Sequence, residues 1–505
     1  MESPQEVKPY AWYMLAVLAL VYIFNFIDRQ LLTILAPELK RDLGISDADF
    51  GFLYGTAFGV FYALFGIPLG KLADRWLRTR LLALGLALWS VMTALSGFSH
   101  NLGQLGAARI GVGIGEATLS PCTYSLVSDY FPPHRRATAL GIYATGLYLG
   151  TGISLFLGSN IVQRWNATFP HGGAPLDLAG WQVAFLCLGL PGVLMALWVA
   201  RLREPVRGAF DGIAPARPTT DGVSAWTAFW QELLDIMPPF TLLGAARRGL
   251  PALFAHLIAA TIIAAAMATL IVLSGDWAQW IAFGIGCYAV FSWGAALRHR
   301  EPDSFAALFR SKAFMGITLG YAFLSFLGYA NFGFAPLFAI QELGADPREA
   351  GFMLGSLGAI AGSLGIVGGG MIADFMARDG IQARRVLFTS LAAAGTMLGH
   401  GVMFSAGSLP FYYTAVFGTL IFMSAALGGA SGTVVNIVPP QLRGTATAAF
   451  LLGTNLIGLA LGPYTGGKLS ILFDDLGMGM LALTTLLPVT LALLAMAYLA
   501  LLKRA

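Results

Sequence analysis

Charge is what this chain has least of. Only 11% of its 505 residues are Asp, Glu, Lys or Arg, against about 25% in soluble domains. Most of its surface is therefore not solvated by water. Cysteine is nearly absent too. Cys122, Cys187 and Cys287 each fall inside an apolar stretch, which excludes a disulfide framework and a thiolate metal site and leaves them as small packing residues. The net charge is +4, but no basic domain or basic helix exists, so nucleic acid is excluded as a partner. No glycine-rich lysine loop for nucleotide phosphates and no nucleophile–base set is present. ATP hydrolysis is excluded as a motor, no enzyme activity is expected, and no cofactor or metal is implied. The first apolar stretch runs from about Tyr10 to Pro37 and contains Asp28-Arg29. It is too long for a signal-peptide core and has no small-residue cleavage site after it.

What the chain does have is long hydrophobic runs, in a composition that is 57% hydrophobic. A helix needs about 20 apolar residues to cross a bilayer. Runs of that kind occur at 11–36, 50–72, 80–99, 104–131, 136–160, 181–201, 250–273, 278–297, 313–340, 350–374, 385–405, 411–438, 446–470 and 480–502. Fourteen spans are expected. Most of the 30 Lys and Arg lie on one side of that arrangement. They include Lys8, the 71–80 cluster, Arg136, Arg201–Arg207, Arg217, Arg247, Arg248, Arg298, Arg300, Arg378–Arg385, Arg443 and Lys503. The positive-inside rule then puts both termini and the central linker in the cytoplasm. Between Ser224 and Met237, Trp226, Phe229, Trp230, Leu233 and Leu234 recur at helical spacing with Gln231, Glu232 and Asp235 opposite. The pattern fits a short amphipathic helix on the membrane face or a linker helix packed on the bundle.

Two motifs occur twice. Gly70-Lys-Leu-Ala-Asp74-Arg75-Trp-Leu-Arg78 returns three hundred residues later as Gly370-Met-Ile-Ala-Asp374-Phe. Pro132-Pro133-His-Arg-Arg136-Ala-Thr138 returns as Pro439-Pro440-Gln-Leu-Arg443-Gly-Thr445. Removing the pair at 250–297 leaves six spans and six spans. The expected architecture is an all-α membrane protein of two parallel six-helix halves with an inserted two-helix hairpin. Its parts are a bundle at 10–202, a linker with the amphipathic helix at 203–249, the hairpin at 250–298 and a second bundle at 310–503.

Ionisable residues at membrane depth cost at least about 2.5–3.5 kcal/mol each and default to function. Asp28, Arg29, Arg109 and Glu116 are such residues, and all belong to the first half. Asp28 and Glu116 are candidates for exchanging a proton, with Arg29 as the competing cation. The alternative is a static ion pair joining the first and fourth spans. Arg29 is also the candidate ligand for an anionic substrate group, because a guanidinium grips phosphate or carboxylate in a fork. Asn25, Arg109 and Glu116 are placed beside it. In the second half Tyr329, Asn331, Asn436 and Asn455 are polar candidates for the cavity wall or for interhelical hydrogen bonds, and His400 is expected only to hydrogen-bond.

The Gly66–Arg80 segment resembles the loop between the second and third helices of the major facilitator superfamily. The resemblance implies that Asp74 caps a neighbouring helix end and, with Arg75 and Arg78, closes the cytoplasmic side; Arg136, Asp374 and Arg443 are its expected counterparts. In the second copy Phe375 replaces the first Arg. Basic residues alone would equally serve as a topology signal. Asn25-Phe-Ile-Asp28-Arg29, Gly115-Glu116-Ala and Phe131-Pro132-Pro133-His-Arg-Arg136 resemble the Spinster branch. That branch implies a central cavity lined by Asp28, Arg29 and Glu116, coupling to protons, and sphingolipid-like or lysophospholipid substrates. The expectation is a proton-coupled, alternating-access transporter of an amphipathic lipid or related organic anion. It would act as a monomer in a bacterial inner membrane, with protons, the substrate and the bilayer as its partners. The rivals are a facilitator or exporter of small solutes without proton coupling, and a non-transporting scaffold or sensor.

Overall fold

A computed structural model describes residues 7–170, 173–207, 224–439 and 442–503. Arg217 and Pro440, named above, lie outside the described residues, as do the side chains of Pro133, His134 and Thr138. The chain divides into two compact units, residues 1–35 with 64–233 and residues 36–63 with 234–505.

Among the described residues all regular structure is helical. Thirteen helices among these residues are long and apolar enough to cross a membrane. The expected span at 104–131 is missing from that set because it is broken. One helix runs Leu102–Glu116, the next Leu119–Tyr130. At the break the Thr118 hydroxyl donates to the carbonyl of Gly115 at 2.9 Å. A Thr that bonds back to the preceding turn competes with the helix ladder.

In the first unit, the Pro9–Ile34 helix packs on Pro133–Thr168, and Arg78–Ser96 packs on both Gly180–Val199 and Leu102–Glu116. Two glycines permit this closeness. A Cβ on Gly150 would stand 2.4 Å from the carbonyl oxygen of Ile23. A Cβ on Gly85 would stand 2.0 Å from the Thr118 hydroxyl and 2.7 Å from the Gly115 carbonyl. Without a hydrophobic force between helices in lipid, such small residues are what lets backbones meet. The Gly85 contact brings the third span against the break that follows Glu116.

In the second unit, two π-helical turns, Phe52–Thr56 and Thr454–Leu459, lie against each other. Such turns interrupt the regular ladder. The Ala460 carbonyl just beyond the second one accepts from the Thr56 hydroxyl and, at 3.4 Å, from Gln279 Nε2. Thr56 also bonds Gln279 Oε1 at 2.6 Å. Gln279 belongs to Trp277–Arg300, the second helix of the inserted hairpin, whose first helix is Leu250–Ser274. The hairpin's turn is held by Asp276, which takes Lys468 Nζ and the Tyr464 hydroxyl, each at 2.7 Å. The short helix Ala225–Ile236 forms as the periodicity predicts. It buries Phe229, Leu233 and Ile236 while exposing Trp226, Trp230 and Leu234, so it carries both a packed edge and an apolar outer edge.

Candidate functional site

The four intramembrane charges come together in the first unit. Arg29 Nη2 lies 2.8 Å from Glu116 Oε2. The Glu116 and Arg109 side chains are wholly buried, Asp28 is 1% exposed and Arg29 is 7% exposed. Asp28 faces Thr93 and Trp89 of the Arg78–Ser96 helix, with Glu116 and Arg109 as its charged neighbours. Asn25, also buried, lies beside Glu116. The Arg29 guanidinium stands 5.1 Å from the centroid of the Phe26 ring, a cation–π position. Asn25, Asp28 and Arg29 thus share one helix with the aromatic ring. Glu116 is the last residue of its helix, and Arg109 sits two turns earlier on the same face. Two carboxylates and two guanidiniums balance in charge, which is the condition for holding ions where desolvation is costly. What the arrangement can do chemically is exchange partners. A proton on Glu116 removes the anion that holds Arg29, and an external anion can take its place.

Thr93 and Trp89 went unnoticed in the sequence. Nothing in an apolar third span marks them except that a Thr and a Trp stand one turn apart.

The gating candidates of the first unit sit among hydrogen-bonded charges. Arg78 is fully buried, and its hydrogen bonds go to Asp129, to Glu204 at 2.7 Å and to Ser125 at 2.7 Å. Asp74 keeps Arg78 only as an electrostatic neighbour, alongside Arg207, Lys71 and Arg75. The carboxylate at the start of the Arg78–Ser96 helix is therefore Glu204, not Asp74. Its Oε2 accepts from the Thr79 N–H and the Thr79 hydroxyl, both at 3.0 Å. A carboxylate there meets the unpaired N–H groups and the positive end of the helix dipole. Burial alone would raise the Glu204 pKa, but these hydrogen bonds and Arg78 hold it below the usual carboxylate range. Arg207 Nη2 donates to the carbonyls of Ala73 and Trp76, at 2.7 and 2.6 Å, and so closes the end of the Ala57–Arg75 helix on which Asp74 and Arg75 sit. Arg136 does the same for Leu119–Tyr130, donating to Phe131 and Ser128 carbonyls. Asp129, Glu204 and Arg207 could have been suspected, since each charge stands where an apolar run meets a polar one.

In the second unit Asp374 pairs with Arg385 at 2.7 Å, with the Asp374 side chain 68% exposed. Arg443 is exposed at the first position of its helix. Among the polar candidates, Asn331 meets His400 Nδ1 at 2.6 Å, and His400 Nε2 lies 2.7 Å from the Met480 carbonyl. The Met480 carbonyl can only accept, so in a neutral ring Nε2 carries the proton and donates to it. His400 is thereby a hydrogen-bonding residue, as expected. Asn436 is exposed and donates to Gly432 of its own helix at 2.7 Å. Tyr329 is half-buried in Lys312–Gln341, and Asn455 is buried in the second π-helical turn.

Thirteen helices among the described residues are apolar enough to span a bilayer, which defines a multi-pass membrane protein. The Major Facilitator Superfamily profile matches residues 18–334, and the chain belongs to that superfamily. It is 27% identical, over 92% of its length and 86% of the relative's, to an MFS-type efflux pump of Mycolicibacterium smegmatis. It is 22% identical, over 91% of its length and 62% of the relative's, to the protein spinster of Drosophila melanogaster. Its fold matches the crystal structure of a bacterial homologue of the human lysosomal transporter Spinster, with a TM-score of 0.72, 23% identity and 99% of both chains covered. These relatives are transporters, not enzymes.

Proposed function

We propose that the protein is a proton-coupled secondary transporter that moves an amphipathic organic anion, of the lysophospholipid or sphingolipid-like kind, by alternating access. The observation that carries the reading is the buried Arg29–Glu116 pair with Asp28 and Arg109 beside it. When Glu116 is protonated, Arg29 loses the carboxylate it pairs with here and can take the anionic group of the substrate. When Glu116 releases its proton, the ion pair reforms and the substrate anion loses its partner. Proton binding and anion binding at this site therefore favour each other, which is the linkage a coupled transporter needs. Asp28, facing Arg109, is the second proton-exchanging group. The resemblance of Asn25–Arg29, Gly115–Ala117 and Phe131–Arg136 to the Spinster branch supports a substrate with an apolar tail. We assign the working parts as a bundle at 10–202, a linker at 203–249, the hairpin at 250–298 and a bundle at 310–503. Both termini are assigned to the cytoplasm of a bacterial cell, with the chain acting as a monomer.

The test is flux of a labelled lysophospholipid in proteoliposomes, with and without an imposed pH gradient. Wild-type flux should follow the gradient, and Asp28→Asn and Glu116→Gln should each lose that dependence. Flux indifferent to the gradient in the wild type would leave a facilitator with a static ion pair.

A further inference from the structure

The inserted hairpin encloses more than it needs for packing. A cavity of about 380 Å³ lies between Leu250–Ser274 and Trp277–Arg300, lined by Ala260, Ala264, Met267 and Ile285 and floored by Pro239 and Leu242. That volume is in the range of small-ligand sites. Gly284 helps keep it open, since a Cβ there would approach the Met267 side chain at 2.8 Å. The apolar core of the first hairpin helix has no buried residue at all in its most hydrophobic window, so the cavity borders the surface that lipid covers.

One end of this apolar space is polar. Tyr288 lines the cavity. Its hydroxyl lies 3.0 Å from His256 Nδ1 and 3.1 Å from the Thr241 hydroxyl. His256 Nε2 in turn lies 3.2 Å from Arg248 Nη2. A guanidinium can only donate, so Nε2 accepts, the ring is neutral, and Nδ1–H donates to Tyr288. The partner of Arg248 thus carries no charge. Neither Arg248 nor its exposed neighbour Arg247 makes an ion pair with a described residue. Of the two acids on the adjacent short helix, Glu232 and Asp235, Asp235 is bound to Arg300. Arg248 is therefore joined through His256 to the Tyr288 end of an apolar slot, with Arg247 next to it in the chain, on the side of the membrane where the chain gathers its basic residues. An occupant must bring an anionic head and an apolar tail. Basic pockets between membrane helices on that side suit anionic lipid headgroups, and guanidinium forks suit phosphate.

We propose that the hairpin holds one anionic phospholipid of the bilayer. An acyl chain fills the Ala260–Ile285 slot, and the phosphate sits on Arg247 and Arg248. His256 and Tyr288 are positioning residues that fix Arg248 at the mouth. The occupant is a structural lipid rather than the transported substrate, and the proposal stands whether or not flux is proton-coupled.

The test uses the purified full chain in detergent and reads lipid binding by native mass spectrometry together with thermal unfolding. Phosphatidylglycerol should bind and raise the unfolding temperature, and phosphatidylcholine with the same chains should do neither. Arg247→Gln and Arg248→Gln should each weaken phosphatidylglycerol binding roughly fivefold. Ala264→Trp, a substitution at an exposed lining position, should fill the slot and abolish the effect. Glycerol 3-phosphate alone should give no stabilisation. Equal stabilisation by phosphatidylcholine, full retention in the arginine variants or in Ala264→Trp, or stabilisation by glycerol 3-phosphate alone would each overturn the proposal.

Discussion

Arg78→Met should be among the most destabilising single changes in the first unit. The side chain is fully buried, and it is shared by two carboxylates, Asp129 and Glu204, with Ser125 as a further acceptor. Removing it takes a hydrogen-bonded cation from both carboxylates and strips Glu204 of one of the hydrogen bonds that hold it at the start of the Arg78–Ser96 helix. Breaking a buried ion pair by deleting one partner costs about 3–5 kcal/mol. At roughly 2 °C per kcal/mol for a chain of this size class or larger, the unfolding temperature in detergent should fall by roughly 6–10 °C. The comparison is Arg385→Met, which breaks a pair whose carboxylate, Asp374, is 68% exposed. Exposed pairs contribute about 0–1 kcal/mol, so that variant should fall by no more than roughly 2 °C. Arg78→Lys should sit between the two, because an ammonium keeps the charge but cannot reach both carboxylates in the fork geometry. A thermal scan in which Arg78→Met loses no more than Arg385→Met would refute the view that this cluster, rather than Asp74, anchors the end of the third span.

Other consequences follow from the same geometry. Glu204 is held below its usual pKa in the folded protein, so its contribution is complete above its unfolded value of about 4.3 and is lost as pH falls through the lower folded value. Acid unfolding of the wild type should steepen in that window, and Glu204→Gln should flatten it. Gly85→Ala should destabilise by about 1–3 kcal/mol, and Thr118→Ala should rescue it only in part, because the Gly115 carbonyl at 2.7 Å remains in the way. Gln279→Leu should cost about 1–3 kcal/mol by leaving the buried Thr56 hydroxyl and Ala460 carbonyl with one partner fewer, read as a lower unfolding temperature.

The spans were legible because each is a run long enough to cross lipid, and lipid leaves a helix almost no alternative. The break after Glu116 was not legible. It depends on Thr118 folding back onto Gly115 while Gly85 comes close enough to touch both, and no local pattern announces a contact between separate spans. The π-helical turns were hidden for the same reason. The intramembrane charges could be picked out singly, since an ionised group in an apolar run is conspicuous. That Arg29 pairs with Glu116, and that Asp28 turns instead to Thr93 and Trp89, needed three dimensions. The carboxylate that meets the start of the Arg78–Ser96 helix, Glu204, was hidden as well, because it comes from a much later part of the chain.

The central claim is that Glu116 carries the proton whose presence frees Arg29. It is tested most directly by driving the labelled lysophospholipid down its own gradient into proteoliposomes with no imposed pH difference, while a trapped pH-sensitive dye reads the lumen. The account predicts a substrate-driven pH change in the wild type that disappears in Glu116→Gln while downhill substrate flux persists. A Glu116→Gln protein that still moves protons with its substrate would contradict it.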